Sequence, residues 1–132
     1  WVEFNIDNIA FTDLPAERLS STDYLYILYT SGTTGTPKGI VRDQGGTTVA
    51  LEWTMNHIMG MKLNDVYFAA SDIGWVVGHS FTIYGPLIRG AATVLYEGKP
   101  TLPHPGALWE IVQRHKVNGF YTSPTGLRAI RK

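Results

Sequence analysis

The apolar residues of this chain fall in short blocks separated by polar, glycine-rich stretches. Tyr24-Leu-Tyr-Ile-Leu-Tyr29 is apolar or aromatic throughout, and that unbroken run predicts a strand buried on both faces. From Gly45 the spacing becomes helical. Val49, Trp53, Asn56 and Met59 lie roughly along one stripe, with Leu51, Met55, Ile58 and Met61 beside them. This predicts a largely buried helix ended by Gly60. Val66-Tyr-Phe-Ala-Ala70 reads as a second buried strand, Ser71 to Ser80 as a loop, and Phe81 to Ile88 as a helix bent at Pro86. Ala92-Thr-Val-Leu-Tyr96 is a third sheet strand, and the proline-rich Glu97 to Gly106 a loop. Ala107 to His115 is a helix, Phe120-Tyr-Thr122 a strand, and Pro124 opens a last helix at its favoured first position. Residues 1–23 are mixed and polar, an irregular lead-in in which Asp13 to Glu17 can form one helical turn.

Strands alternating with helices over residues 24–132 predict an α/β fold with a mostly parallel sheet and right-handed crossovers. Ligands of such sheets bind outside the carboxyl ends of the strands. The loops at 30–39, 71–80 and 122–125 each follow a predicted strand and are expected on one edge of the sheet.

Composition narrows the partners. The 132 residues suit one domain, and 44% apolar content suffices for a core. Eleven basic and eleven acidic residues cancel, which argues against a nucleic-acid or membrane-surface partner. The absence of cysteine excludes a disulfide scaffold and a cysteine metal site. Trp1-Val2-Glu3-Phe4 lacks the pattern of a secretory signal, and no apolar run approaches the roughly 20 residues of a membrane helix. The chain starts without Met and stops at Arg131-Lys132 inside a predicted helix. The expectation is a piece of a longer polypeptide whose remainder is its first partner.

The stretch with the most chemistry is Thr30-Ser-Gly-Thr-Thr-Gly-Thr-Pro-Lys-Gly39. It fails the Walker pattern, because Pro37 precedes Lys38 and Gly39 follows it, and its glycine spacing fails G-x-G-x-x-G. Its composition still points to an anion. Gly32, Gly35 and Gly39 allow close backbone approach, and successive N–H groups in a turn form an anion nest. Thr30, Ser31, Thr33, Thr34 and Thr36 supply hydroxyl donors and Lys38 a charge, with no carboxylate among them. Pro37 stiffens the loop beside the lysine. A solvated linker has an overlapping composition and is the alternative.

Tyr29-Thr-Ser-Gly-Thr-Thr-Gly-Thr-Pro-Lys-Gly39 resembles the signature of the AMP-forming (adenylate-forming) acyl- and aryl-CoA synthetases. Asp72-Ile-Gly-Trp-Val-Val-Gly-His-Ser80, Tyr84-Gly-Pro-Leu87, Leu95-Tyr-Glu-Gly-Lys-Pro100 and Ser123-Pro-Thr125 with Arg128-Ala-Ile-Arg131 resemble the short-chain branch, the acetyl- and propionyl-CoA synthetases. The resemblance runs from about Tyr24 to Lys132 and implies part of the large N-terminal, AMP-binding domain of such an enzyme. It implies a two-step reaction: a carboxylate joins the α-phosphate of ATP with release of pyrophosphate, then coenzyme A displaces AMP to give a thioester. ATP, Mg2+ and coenzyme A are the implied cofactors and substrates.

On this resemblance Thr30, Ser31, Gly32, Thr33, Thr34, Gly35, Lys38 and Gly39 hold the β- and γ-phosphates, and Trp75, Val76, Val77, Gly78 and His79 form the acyl-pocket segment. Trp75 would wall the pocket and the valines floor it. Acetyl-CoA synthetases commonly carry Trp-Val-Thr here, so Val77 favours propionate over acetate. One methylene is worth about 1–3 kcal/mol of discrimination. The alternative is that Trp75 and Val76 are core, although Gly74 and Gly78 beside them point to close backbone approach. His79 is expected at a helix start, either beside the substrate carboxylate with the helix N-terminus helping to hold the anion, or as a capping or packing histidine. Asp72 is expected to orient the loop, and Trp53 and Trp109 to pack in or against the core. His57, His104 and His115 have no ligand spacing, so no metal is assigned to them.

The resemblance also marks what these residues lack. The family's Tyr-Gly-x-Thr-Glu type segment, its ribose-binding aspartate region, its mobile C-terminal domain and its catalytic lysine do not occur in the sequence. No catalytic residue is therefore assigned within this chain, and the chain alone is expected to be inactive. A non-catalytic nucleotide-binding module or another adenylate-forming ligase are the alternative readings. Cytoplasm and mitochondrial matrix both fit the parent, and secretion does not.

Overall fold

A computed structural model describes residues 15–33 and 35–131. The expected lead-in up to Leu14, the Thr34 assignment and Lys132 lie outside the described residues.

The centre is β3, Val66–Ala70, with Tyr67, Phe68 and Ala69 at 1%, 0% and 4% exposure. It pairs in parallel on both sides. β4, Ala92–Thr93, matches Val66 with Ala92, and β5, Gly119–Thr122, runs from Tyr67 opposite Gly119 to Ala70 opposite Thr122. The order is β4-β3-β5. A parallel strand between two neighbours has helices or loops on both faces, so an unbroken apolar run suits it. One face packs Tyr67 and Ala69 with Met55, Met61 and Ala91. On the other, Phe68 meets the rings of Phe120 at 5.4 Å and Tyr96 at 6.3 Å, and Trp109 meets Phe120 edge-on at 5.4 Å. The third expected strand ends early, at Thr93 rather than Tyr96, although the Val94 N–H still reaches the Tyr67 carbonyl at 2.9 Å.

The first strand departs from expectation. β1, Tyr24–Thr30, does not join this sheet. It forms an antiparallel hairpin with β2, Lys38–Asp43, and is not buried on both faces: Tyr24, Ile27 and Tyr29 are 78%, 55% and 74% exposed. The register sets Thr30 opposite Lys38, Tyr29 opposite Gly39 and Leu28 opposite Ile40, with an irregularity between Tyr24 and Tyr26. An apolar run of six residues marks a strand but cannot report its burial. β2 is masked in sequence because only Ile40 and Val41 are strong strand formers, between a glycine and two charges.

Asp43 ends the hairpin and caps α1, Gln44–Trp53; its Oδ1 accepts from the Gly46 N–H at 2.8 Å. The helix continues as a wider π turn, Thr54–Ile58, where the Thr54 hydroxyl donates back to the Ala50 carbonyl at 2.7 Å. Gly60, at φ +65°, stops it as expected. Leu51 and Met55 are its buried face, whereas Val49, Trp53 and Ile58 are 70%, 55% and 65% exposed, so the stripe is narrower than the apolar spacing predicts.

After β3 a single helical rod runs through α2, Val76–Gly78, a π-helical stretch His79–Tyr84, and α3, Gly85–Arg89. Pro86 has no N–H to give the carbonyl one turn back. That carbonyl, on Thr82, accepts instead from the Thr93 hydroxyl of β4 at 2.7 Å. Arg89 ties the rod to α1 and its π turn. Its Nε donates to the Met61 carbonyl at 2.7 Å, its Nη1 to Glu52 at 2.8 Å and its Nη2 to Asn56 at 2.9 Å. α4, Ala107–Arg114, and α5, Pro124–Arg131, complete the described chain. No helix among the described residues is long and apolar enough to cross a membrane.

Replacing the Thr93 hydroxyl by a methyl in Thr93→Val strands the Thr82 carbonyl and is expected to cost about 1–3 kcal/mol. Tyr67→Phe is expected to leave stability unchanged or raise it, because the buried Tyr67 hydroxyl has no partner among the described residues. Denaturant unfolding of the two variants checks the pair, and the reverse order of stabilities contradicts this account.

Candidate functional site

β3 and β5 are parallel neighbours, so the segments after Ala70 and Thr122 leave the same sheet edge; the Thr122 hydroxyl donates to the Ala70 carbonyl at 3.4 Å. Two of the three expected loops therefore share the carboxyl edge. The third, 30–39, is a hairpin loop on a separate sheet, because β1 turns back antiparallel instead of crossing over.

That hairpin loop is closed by the Thr30–Lys38 cross-strand pair. Gly32 and Gly35 have φ of +60° and +79°, and the Gly35 N–H donates to the Gly32 carbonyl at 3.4 Å. A Cβ on Gly32 would run into the Thr36 carbonyl, so glycine is required there twice over. Thr30, Ser31, Thr33, Thr36 and Lys38 are all exposed. The ion pairs of the described residues, Arg89–Glu52 and His104–Glu110, do not involve Lys38. The result is a turn of amides, hydroxyls and one ammonium with no acidic side chain beside it in sequence, a donor set suited to phosphate oxygens.

The second segment starts with a turn made by Asp72. Its Oδ1 accepts from the Gly74 N–H at 2.7 Å and its carbonyl from the Trp75 N–H at 3.1 Å, the orienting role expected of it. The helix starts at Val76, five residues earlier than the apolar spacing predicts, so Val76, Val77 and Gly78 are helical rather than loop. His79 is therefore not at the helix start: its N–H already donates to the Trp75 carbonyl at 3.0 Å. A Cβ on Gly78 would overlap the Asp72 carbonyl oxygen and stand 2.6 Å from Ile73 Cα, so the loop lies directly on the helix backbone. Trp75 is 68% exposed and Val76 40%, so neither belongs to the core of the described residues. Trp53 and Trp109, at 55% and 47%, are not core positions, but Trp109 packs against the core through Phe120, as expected.

A cleft of about 530 Å³ lies between hairpin, α1 and this helix. Val76 and Val77 form one wall, and Tyr26, Arg42, Asp43 and Thr47 stand among the facing residues. Trp75, Gly78, His79 and the phosphate-type loop do not line it. Arg42 and Tyr26 were not singled out by sequence; only the pairing of β2 with β1 brings them to this wall. The His79 ring sits beside Tyr26, centroids 5.5 Å apart, and Tyr84, 6.0 Å apart, and its Nδ1 is buried with no partner among the described residues. Burial, reinforced by the charge of Tyr121, pushes the Tyr67 phenol far above its usual range, so this core hydroxyl stays neutral. Among the described residues no three His, Cys, Asp or Glu side chains gather as a metal ligand set.

A donor-rich hairpin loop and a glycine-bracketed Trp-Val-Val helix start stand in this α/β chain, and the comparison with known sequences gives the family. Residues 3–132 match the family described as AMP-binding enzyme, and the chain belongs to that family. It is 58% identical over 109 residues to a Mus musculus protein named acyl-CoA synthetase short-chain family member 3, mitochondrial, covering 82% of this chain and 16% of that one. It is 51% identical over 119 residues to the propionate–CoA ligase of Salmonella typhimurium (90% and 19%). It is 47% identical over 121 residues to an acetyl-coenzyme A synthetase of Bartonella bacilliformis (92% and 19%). The chain thus spans less than a fifth of the length of these relatives.

Gly78→Ala is expected to lower stability by at least about 1–3 kcal/mol, since backbone and not a flexible side chain must move. Gly74→Ala meets only the Asp72 carboxylate, at 3.1 Å, and is expected to cost less. Comparing the two unfolding midpoints decides whether close approach is confined to Gly78.

Proposed function

We propose that this chain is the phosphate-loop and acyl-segment part of an AMP-forming short-chain acyl-CoA synthetase. In this reading the parent enzyme joins a carboxylate to ATP, giving acyl-adenylate and pyrophosphate, and then transfers the acyl group to coenzyme A. The observation that carries it is the hairpin loop, whose described hydroxyls and Lys38 ammonium are exposed and closed by one cross-strand pair. The names of the relatives support the same chemistry.

An anionic carboxylate attacking an anionic triphosphate needs positioning and charge neutralisation more than covalent help. Lys38, the amides of the loop and the hydroxyls of Thr30, Ser31, Thr33 and Thr34 hold the β- and γ-phosphates and stabilise the leaving pyrophosphate. Gly32, Gly35 and Gly39 let the loop close over them. Magnesium would supply further neutralisation, and the described residues gather no carboxylate set that would hold it. Trp75 limits acyl length, Val76 and Val77 line the cleft, and His79 Nδ1 turns to the carboxylate. A valine at 77, apolar where threonine brings a hydroxyl, favours propionate over acetate. The remainder of the parent polypeptide supplies the groups that complete both steps, and the parent resides in the cytoplasm or the mitochondrial matrix.

Carboxylate-dependent exchange of pyrophosphate into ATP by the full-length parent tests this. Lys38→Ala is expected to lower kcat/KM for ATP by about 10- to 100-fold, and Val77→Thr to shift preference toward acetate by about tenfold or less. The 132-residue chain alone is expected to give no exchange above background. A parent that binds ATP but shows no exchange with either acid leaves the non-catalytic nucleotide-binding module as the better reading.

A further inference from the structure

Tyr26, His79 and Tyr84 form a closed trio of rings. Tyr26 and Tyr84 stack at 5.9 Å with 13° between planes, Tyr26 meets His79 at 5.5 Å and 37°, and His79 meets Tyr84 at 6.0 Å and 30°. The three come from two places. Tyr26 stands on β1, four residues before Thr30 where the phosphate-type loop begins, whereas His79 and Tyr84 are the first and last residues of the π-helical stretch. Among the described residues Tyr26 is the only hairpin ring that meets a ring outside the hairpin. It is half-buried, unlike exposed Tyr24 and Tyr29 on the same strand.

The π turn is what lets His79 and Tyr84 close on a common partner. Residues five apart point about 140° apart in a 3.6-residue helix, and a wider turn brings them nearer to one side. The imidazole is then held by ring contacts alone, with Nδ1 buried and unpartnered among the described residues. Ring packing of this kind fixes a side chain without using its hydrogen-bonding atoms, which leaves the nitrogen uncommitted among the described residues.

We propose that Tyr26 and Tyr84 are positioning residues that hold the His79 imidazole, and that Tyr26 thereby links the strand entering the phosphate loop to the helix carrying the acyl segment. This rests on the ligase reading and on His79 facing the substrate carboxylate. The rings do the positioning; the tyrosine hydroxyls are dispensable at position 84. Because Tyr26 also stands on the cleft wall, an effect through His79 must be separated from direct contact with substrate.

The test uses the full-length protein, with kinetics by carboxylate-dependent pyrophosphate exchange and NMR of histidine ring protons. Tyr26→Leu and Tyr84→Leu are expected to raise the carboxylate KM about tenfold and leave the ATP KM within about twofold; Tyr84→Phe restores the wild-type value. Tyr26→Leu added to His79→Ala is expected to give no further loss, the non-additivity of residues acting through one group. The ring protons of His79, shifted upfield by its neighbours, are expected to return toward ordinary positions in both Leu variants and to stay shifted in Tyr84→Phe. Additive losses, or Leu variants that leave both the carboxylate KM and the His79 resonances unchanged, overturn the positioning role while leaving the ligase reading intact. A wild-type protein without exchange activity overturns the ligase reading and with it the link to substrate.

Discussion

Tyr67, Phe68 and Ala69 have almost no contact with solvent, and the rest of the described chain is located by how it covers them. One face takes Met55 from the π turn after α1 and Met61 from just beyond Gly60; the other takes Phe120, Trp109 and Tyr96 from the later segments. Burial of a large apolar side chain is worth about 1.5–3 kcal/mol, and a strand hydrogen-bonded on both edges also satisfies its backbone. The direction of this strand then fixes where the chemistry can be. Its carboxyl end releases the Asp72 turn, and the parallel β5 releases Ser123 beside it. Position and direction of the Trp75–His79 segment thus follow from an apolar pentapeptide that takes no part in it.

The hairpin follows another rule. Its strands satisfy each other and leave most of their side chains exposed, and the loop it carries is fastened by one cross-strand pair, Thr30 with Lys38. Its described residues include two left-handed glycines and several exposed hydroxyls. Such a set of donors suits a charged, multidentate ligand better than a neutral one.

Elements that depend on local signals were legible in the sequence: the apolar strand Val66–Ala70, the stop at Gly60, the proline opening the helix at 124, and the α/β class itself. The donor-rich character of the hairpin loop was legible by composition, and the family by its text. What failed was what depends on partners. The run Tyr24 to Tyr29 does not reveal that its neighbour is a mixed strand antiparallel to it, and so its burial was misjudged. The start of the helix at Val76 was missed because its first turn, Val-Val-Gly, carries β-branched and glycine residues that disfavour helix on their own; the Asp72 turn and the contact at Gly78 override that preference. Arg42 and Tyr26 reach the cleft through strand register, which no single-sequence pattern encodes.

Local rules are broken most often in the stretch where function is proposed. Between Asp72 and Thr93 the chain places two valines at a helix start, presses a loop against Gly78, widens a helix into a π turn and follows it with Pro86. Each choice is unfavourable by itself, and each has a specific answer: the Asp72 carboxylate for the turn, the missing Cβ for the contact, the Thr93 hydroxyl for the orphaned Thr82 carbonyl. A sequence under no demand but stability has simpler solutions, and violations with dedicated compensation mark sites that serve something else. Here what they produce is definite. They bring His79 and Tyr84 onto the ring of Tyr26 and leave Nδ1 of the histidine buried without a partner among the described residues. A buried nitrogen left unpaired is costly, and a ligand that satisfies it recovers that cost on binding.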